Sequence, residues 1–486
     1  MIPARFIYSA LLTALVAGCA LGPKYERPAV ELPAAWQDTP AQGVKADGER
    51  WWKLYSDAAL DRLIEEALAH NQDLALATAR VDEARALARI ANAQLYPSID
   101  ASAERNRTRS SARSSIPLPP NVPLENNNYN VQLNVSYELD LWGRLSSASR
   151  AARADLLATQ AARETVRITL ASEVARGYYG LVALDTQVEA TRRALQLRTG
   201  ALDLQRVRHQ AGLVIDFDVR TLESEVASAR AQLPTIESAR TTQELALSVL
   251  LGRSPRAITE GAVDRRADRG EPAPPVVPEG LPSDLLLRRP DVVEAEQRLI
   301  AANARIDAAR AALFPRISLT GYFGAESTAL GSLLSGPARI WQLAFALAQP
   351  IFQGGRLFGE IDAVKARERQ ALAQYQKTLQ EAFREVRQAL STQIRARETF
   401  DAESSRVTAL ADGLRLARIR YQNGLLSQLD VIDTERNLLQ AELNRADALR
   451  AHRAAVADIV KALGGGWQGF ESAPLAQAPG GQQEKP

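Results

Sequence analysis

Two stretches of this chain, 212 residues apart, are written in the same order of residues. Gly143-Arg144-Leu145 returns as Gly355-Arg356-Leu357, and Glu173-Val174 as Glu385-Val386. Arg208-His209-Gln210-Ala211-Gly212-Leu213 returns as Arg420-Tyr421-Gln422-Asn423-Gly424-Leu425, then Asp218-Val219 as Asp430-Val431, Glu223 as Glu435, and Leu251-Gly252 as Leu463-Gly464. Upstream the spacing changes: Leu95-Tyr96-Pro97-Ser98-Ile99 matches Leu313-Phe314-Pro315-Arg316-Ile317 at an offset of 218. Solenoid repeats have periods of about 20–50 residues, so this is a duplicated half-molecule. Whatever one half folds into must be built twice.

Each half reads as helix, two strands, very long helix, turn, helix. Good helix formers run from about 58 to 96 and stop at Pro97, whose ring and missing N–H end a helix. From 143 to 211 there is no proline and almost no glycine; at ~1.5 Å per residue that helix is about 100 Å long. Gly212 breaks it, and the next helix is expected over 217–251, interrupted by Pro234. The first repeat thus spans 58–252 and the second 286–464, with long helices at 355–423 and 429–463. The two shorter helices together match the long one and are expected to stack end to end along it, antiparallel. Val174, Leu181, Val188, Leu195 and Leu202 recur every seventh residue, a narrow seam that favours a left-handed supercoil. Between the repeats, 253–285 holds Pro272, Pro274, Pro275, Pro278 and Pro282 and reads as a linker. The C-terminal tail is 465–486, and from about Glu471 it is short of apolar residues and is expected to be disordered.

The strands separate this pattern from a solvated coiled-coil rod. Tyr129, Val131, Leu133, Val135, Tyr137 and Leu139 alternate with Asn130, Gln132, Asn134, Ser136, Glu138 and Asp140, so 129–140 has an apolar and a polar face. That is the length and dyad pattern of a membrane-crossing strand, about 9–11 residues. Trp341, Leu343, Phe345 and Leu347 give 340–352 the same character; Ile317, Leu319 and Phe323 do so for 316–325, and Ile99, Ala101 and Ala103, most weakly, for 98–105. The segments 106–128 and 326–339 read as loops. Four strands cannot close a barrel, and open edges are not tolerated in hydrocarbon. The chain must be completed by copies of itself. Three copies would give twelve strands, and the pattern alone also allows two or four.

The N-terminus agrees with export. Arg5 precedes an apolar stretch from about 6 to 17, too short to span a bilayer, ending in Leu15-Val16-Ala17-Gly18-Cys19. Cys19 is the only cysteine. Residues 1–18 read as a lipoprotein signal, 19–57 as an N-terminal extension, and the Cys19 thiol as the acceptor of lipid. Ala20 stands where aspartate would signal retention in the inner membrane. A net charge of +2 offers no field for nucleic acid. His70, His209 and His452 lie far apart without ligand spacing, so no metal site is expected. No acid/base pair, nucleophile triad or phosphate loop stands out. Gly354-Gly355 and Gly464-Gly465-Gly466 read as changes of chain direction. Neither enzyme chemistry nor a cofactor is expected.

These motifs, in this order, resemble the TolC-like outer-membrane factors, and the NodT-type lipoprotein branch in particular. The resemblance rests on Gly22-Pro23-Lys24-Tyr25-Glu26-Arg27-Pro28, Trp51-Trp52-Lys53-Leu54-Tyr55-Ser56-Asp57, Val81-Asp82-Glu83-Ala84-Arg85 and Leu287-Arg288-Arg289-Pro290-Asp291-Val292 with Ala295-Glu296. It continues through Ala311-Ala312-Leu313-Phe314-Pro315, Gln349-Pro350-Ile351-Phe352 with Gly354-Gly355-Arg356, and Arg420-Tyr421-Gln422-Asn423-Gly424. It implies a mostly α-helical chain with a membrane β-barrel: a homotrimer whose twelve-stranded barrel continues as a periplasmic helical tunnel. It further implies a periplasmic adaptor protein and an inner-membrane pump of the resistance-nodulation-division type as partners, with outer-membrane lipid around the barrel and small molecules, drugs or metal ions as cargo.

The resemblance also points to the turns at 210–218 and 422–433. Asp430 and Asp433, three apart and so on one helix face, match carboxylates that ring the tunnel entrance. Asp218 and Tyr421 match positions that hold that entrance closed. Leu426 departs from the family, standing where an arginine joins those links, so the latch here would be weaker, or built from Arg420 or Arg208 instead. Two other readings remain at this stage: an exit duct for type I protein secretion, and a lipid-anchored periplasmic scaffold without a pore.

Overall fold

The computed structural model describes residues 25–28, 50–113, 119, 122–265 and 287–465. The expected signal peptide, Cys19, the run Pro272 to Pro282 and the tail from 466 onward lie outside the described residues. After a 3₁₀ turn at Trp51–Tyr55 come α1 (Ala58–His70), α2 (Gln72–Ala93), β1 (Ser98–Arg109), β2 (Glu125–Leu139), α3 (Arg144–Gln210), α4 (Asp216–Leu250) and α5 (Pro255–Glu260). The second half has α6 (Pro290–Ala311), β3 (Arg316–Ser327), β4 (Arg339–Ala348), α7 (Arg356–Gln422) and α8 (Gln428–Ala462). The duplication is reproduced in lengths: α2 and α6 have 22 residues, β1 and β3 have 12, α3 and α7 have 67, and α4 and α8 have 35.

Two helix expectations are corrected. The stretch from 58 to 96 is not one helix, because Asn71 turns to an extended ψ of 132° between α1 and α2. Its side chain compensates the break: Oδ1 accepts from the Leu74 N–H at 3.0 Å, and Nδ2 donates to the Leu250 carbonyl at 2.9 Å. Shifting these positions by 218 and 212 gives Arg289 and Ala462, and there the Arg289 guanidinium donates to the Ala462 carbonyl at 2.6 Å. Each half therefore uses the residue before its 22-residue helix to catch an orphan carbonyl at the end of its 35-residue helix. Gly252, at φ +69°, sits so close to this corner that a Cβ would lie 2.1 Å from the His70 carbonyl oxygen. The second correction is Pro234, which lies inside an unbroken α4. It is exposed, so the carbonyl it leaves without a partner four residues earlier is free to bind water, and the helix continues.

The residues group into two compact units. One comprises Met1–Ala29, Arg80–Gln160 and Glu294–Gln376 and contains the whole sheet. The strands lie in the order β1-β2-β3-β4, every pair antiparallel. The first hairpin is longer than its apolar pattern: Arg107 and Arg109 both pair with Glu125, at 2.7 and 3.4 Å, extending β1 to 109 and starting β2 at 125. β4 instead stops at Ala348, short of 352, just before Pro350, which has no N–H for a ladder. At the foot of the sheet the Asp140 carboxylate accepts from the N–H groups of Leu145 and Ser146, at 2.9 and 2.7 Å, capping α3. Trp142 stacks on Phe314 with ring centroids 5.0 Å apart and donates to the Pro315 carbonyl at 2.8 Å.

The other unit comprises Val30–Ala79, Ala161–Val293 and Lys377–Pro486. Its seam is the heptad stripe: Val174, Leu181, Val188 and Leu202 are buried, and Leu195 packs partly buried on a cluster of Leu202, Val219, Leu222, Val226 and Ile432. Its largest side chains are gathered around the 3₁₀ turn. Trp51, Trp52 and Tyr55 are buried with Tyr178 and Tyr179; the Tyr55 hydroxyl donates to the Arg453 carbonyl at 2.6 Å and that of Tyr178 to Asp57 at 3.0 Å. Asp57 in turn caps α1.

Candidate functional sites: an apolar sheet face and two helical turns

The strand register decides which side chains share a face. Ile99 opposes Val135 and Ala103 opposes Val131; Val135 opposes Gly321, Leu133 opposes Phe323 and Tyr137 opposes Leu319; Phe323 opposes Trp341 and Leu319 opposes Phe345. The apolar residues of all four strands thus form one continuous face, and Asp100, Ser102, Asn134, Gln132, Thr320 and Gln342 fall on the other. Leu133, Phe323, Trp341, Leu343 and Phe345 are all more than half exposed. Among the described residues no protein layer covers these groups, which would cost about 25 cal/mol per Å² against water. A polar face backed by an apolar one, without a core between sheet layers, is the cross-section of a wall between lipid and an aqueous lumen. No described helix is long and apolar enough to cross a membrane.

Two sequence motifs meet at the start of α6. Arg27 donates to both carboxylate oxygens of Glu296 at 2.6 Å, and the Tyr25 hydroxyl lies 3.4 Å from one of them. Burial and the Glu296 charge push the Tyr25 hydroxyl up to about 12. The N-terminal motif is thereby clamped to α6.

The two helical turns are near copies. Gly212 and Gly424 both adopt φ +72°, Leu213 donates its N–H to the Arg208 carbonyl at 2.9 Å, and Leu425 donates to the Arg420 carbonyl at 2.9 Å. These are paired Schellman caps, which require the left-handed glycine. Leu213, Ile215, Phe217, Leu425 and Leu429 project from the turns exposed to solvent.

The candidate residues are used differently from one another. Tyr421 accepts from Arg208 at 3.1 Å and donates to Gln428 at 2.8 Å, tying α3, α7 and α8. Asp430 is the acidic half of a capping box with Ser427, which donates to it from its backbone N–H at 3.1 Å and from its hydroxyl at 2.5 Å. Asp433, also exposed, bonds Arg436 at 2.5 Å and Asn437 at 3.2 Å. Asp218 is half-buried, and its side chain makes no hydrogen bond or ion pair among the described residues. Of the two cations considered for the latch, Arg208 meets Tyr421, while Arg420 is exposed and makes no side-chain bond among the described residues.

Gln428 and a pair of ion bridges were not foreseen. Arg206 meets Glu223 at 2.9 Å, and the residues 212 further on, Arg418 and Glu435, meet at 2.7 Å. The repeat alone was a sufficient signal for the second pair once the first was known. Arg208, Arg418, Tyr421, Gln428, Glu435 and Leu222 line a cavity of about 210 Å³ above the turns. No group of three metal-ligating side chains occurs among the described residues.

Comparison with known proteins gives the same outline. The family model described as outer membrane efflux protein matches residues 63–253 and 281–465. The chain is 36% identical over 470 residues to outer membrane protein OprJ of Pseudomonas aeruginosa, covering 95% of this chain and 96% of that protein. It is 34% identical over 471 residues to the toluene efflux pump outer membrane protein TtgC of Pseudomonas putida, with the same coverage of 95% and 96%. Among solved structures, the Campylobacter jejuni CmeC outer membrane channel superposes with a TM-score of 0.85 at 25% identity, over 93% of this chain and 96% of that one. With both repeats matched by the family model and relatives aligned almost end to end, the chain belongs to the outer membrane efflux protein family.

Proposed function

We propose that this chain is the outer-membrane channel subunit of a tripartite efflux system, passing small molecules from an inner-membrane pump and periplasmic adaptor to the outside. The observation that carries this is the continuous apolar face of a sheet whose β1 and β4 edges are both unpaired among the described residues. An open-edged membrane sheet is completed only by further strands, and three copies give a twelve-stranded barrel. Lipid on Cys19 adds an anchor to that barrel. The exposed Leu213, Ile215, Phe217, Leu425 and Leu429 offer the adaptor an apolar docking surface. The efflux-pump relatives favour small molecules, toxic compounds or metal ions over a secreted protein, and a pump of the resistance-nodulation-division type.

Transport through this part is passive. Asp430 and Asp433, repeated by a threefold axis, concentrate negative charge at the entrance and favour cations, and Asp218 and Tyr421 belong to the gate. The test is the native mass of protein extracted from outer membranes in mild detergent. A trimer is expected, whereas a monomer released without detergent would leave a poreless scaffold in its place. The gate assignment is tested by conductance of Asp430→Asn with Asp433→Asn; unchanged conductance and unchanged block by multivalent cations would remove it.

A further inference from the structure

The register of the joint between copies can be worked out from one chain, on the oligomeric reading just given. The β4 edge of one copy must receive the β1 edge of the next. The directions are compatible, since successive strands alternate and β4 therefore runs antiparallel to β1.

The duplication supplies the rest. Ile99 opposes Val135 in the first hairpin and Ile317 opposes Leu347 in the second. β1 therefore maps onto β3 by a shift of 218, β2 maps onto β4 by 212, and hairpin pairing is repeated residue for residue. The β2–β3 ladder joins the first half to the second, and the joint between copies joins a second half to a first. In that ladder Leu139 opposes Ile317, Val135 opposes Gly321 and Tyr129 opposes Ser327. Moving the β2 members forward by 212 and the β3 members back by 218 names the partners. We infer that β4 of one copy pairs with β1 of a second copy in the register Ile351 to Ile99, Leu347 to Ala103 and Trp341 to Arg109.

Three observations agree with it. The first is parity: the register sets apolar Ile351 and Leu347 beside apolar Ile99 and Ala103, whereas a one-residue slip would exchange the faces. The second is exposure: Ile351 is 89% and Ile99 67% exposed in the single chain, and each becomes the other's cross-strand neighbour. The third is strand length. β2 continues to Leu139 because β3 pairs with it beyond Ser136, the last β2 residue that β1 reaches, through Ser98. β4 has no such outer partner and ends at Ala348, but in this register Gln349 and Ile351 meet Ala101 and Ile99 and complete the strand. Pro350 contributes only its carbonyl there. At the far end Trp341, 75% exposed, meets Arg109, an arrangement suited to a cation–π contact.

The register is tested with four cysteines in two pairings, in the full-length protein in outer membranes. Within one chain β1 and β4 are three strand spacings apart, about 14 Å, beyond the roughly 7 Å Cα limit of a disulfide. Any cross-link between them therefore joins separate chains. Ile99→Cys with Ile351→Cys, and Ala103→Cys with Leu347→Cys, are expected to oxidise to covalent trimers on non-reducing gels. The swapped pairs, Ile99→Cys with Leu347→Cys and Ala103→Cys with Ile351→Cys, are offset by four residues, about 13 Å, and are expected not to link. Native mass is measured for every variant and for each single cysteine. Trimers in which the swapped pairs link, or neither set links, would overturn the register while leaving the trimer standing. Native monomers from the parent chain would overturn the trimer and the register with it.

Discussion

Replacing Tyr421 by phenylalanine removes one hydroxyl and leaves the ring in place. That hydroxyl accepts from the Arg208 guanidinium at 3.1 Å and donates to Gln428 at 2.8 Å. A bond from a charged donor contributes about 1.5–3 kcal/mol and a neutral one about 0.5–1.5. Arg208 and Gln428 are half-buried, so water replaces part of each, and the low ends apply: about 2 kcal/mol per protomer. That is roughly a 30-fold shift in any equilibrium that breaks this contact. If the contact holds the entrance shut, single-channel recordings in planar bilayers should show Tyr421→Phe open more often than the parent, at unchanged native mass. Arg208→Ala should have a similar effect, and the double variant should add little to either, because both delete one interaction. Arg420→Ala, at an exposed position, should change the open fraction by less than about twofold. Parent-like opening in Tyr421→Phe and Arg208→Ala would refute the latch, and a dominant effect of Arg420→Ala would move it to that residue.

Two further outcomes follow from the packing. Leu343→Arg puts a charge on the apolar sheet face, at a cost of about 2–4 kcal/mol if it lies near the bilayer midplane. Membrane-inserted protein resistant to carbonate extraction should fall sharply, while Ala344→Arg, one residue on and facing the polar side, should insert normally. His452 is buried on α8 beside the Phe400 ring, and its Nδ1 has no partner among the described residues. Burial, then the Arg397 and Arg453 charges against the opposing pull of Asp401, lowers its pKa below the ordinary 6.5. The unfolded chain therefore takes up the proton first: stability is fully present above pH 6.5 and is lost on acidification until the folded value is passed. Melting temperature should fall between pH 7.5 and 5.5, and His452→Gln should flatten the part of that slope due to this group.

The local features were legible because their causes are local. A strand that alternates Val131, Leu133 and Val135 with Gln132 and Asn134 can bury only one face, whatever it meets. Glycine at 212 and 424 stops a helix through its own left-handed φ, and the long helices end two residues before it, at Gln210 and Gln422. The equal lengths of α3 and α7 follow from the repeat itself. The sheet also ran past its apolar pattern, because Glu125 holds two arginines across the hairpin, a pairing that hydropathy does not record.

Features that need a distant partner could not be read from neighbouring residues. Asn71 breaks a helix-favouring run only because the Leu250 carbonyl is there to receive its amide. Pro234 fails to break one because its helix surface faces water. The choice of Arg208 over Arg420 for Tyr421 depends on which of two equivalent arginines the packing of α3 against α7 brings within 3.1 Å. The duplicated plan and the amphipathic strands were written in the order of residues alone, since periodicity and backbone freedom are properties of a few neighbouring residues, while the order of motifs carried the resemblance to an efflux family. Register, long-range caps and the pairing of charges were settled by folding, because hydrogen bonds depend on distances that only the assembled elements set.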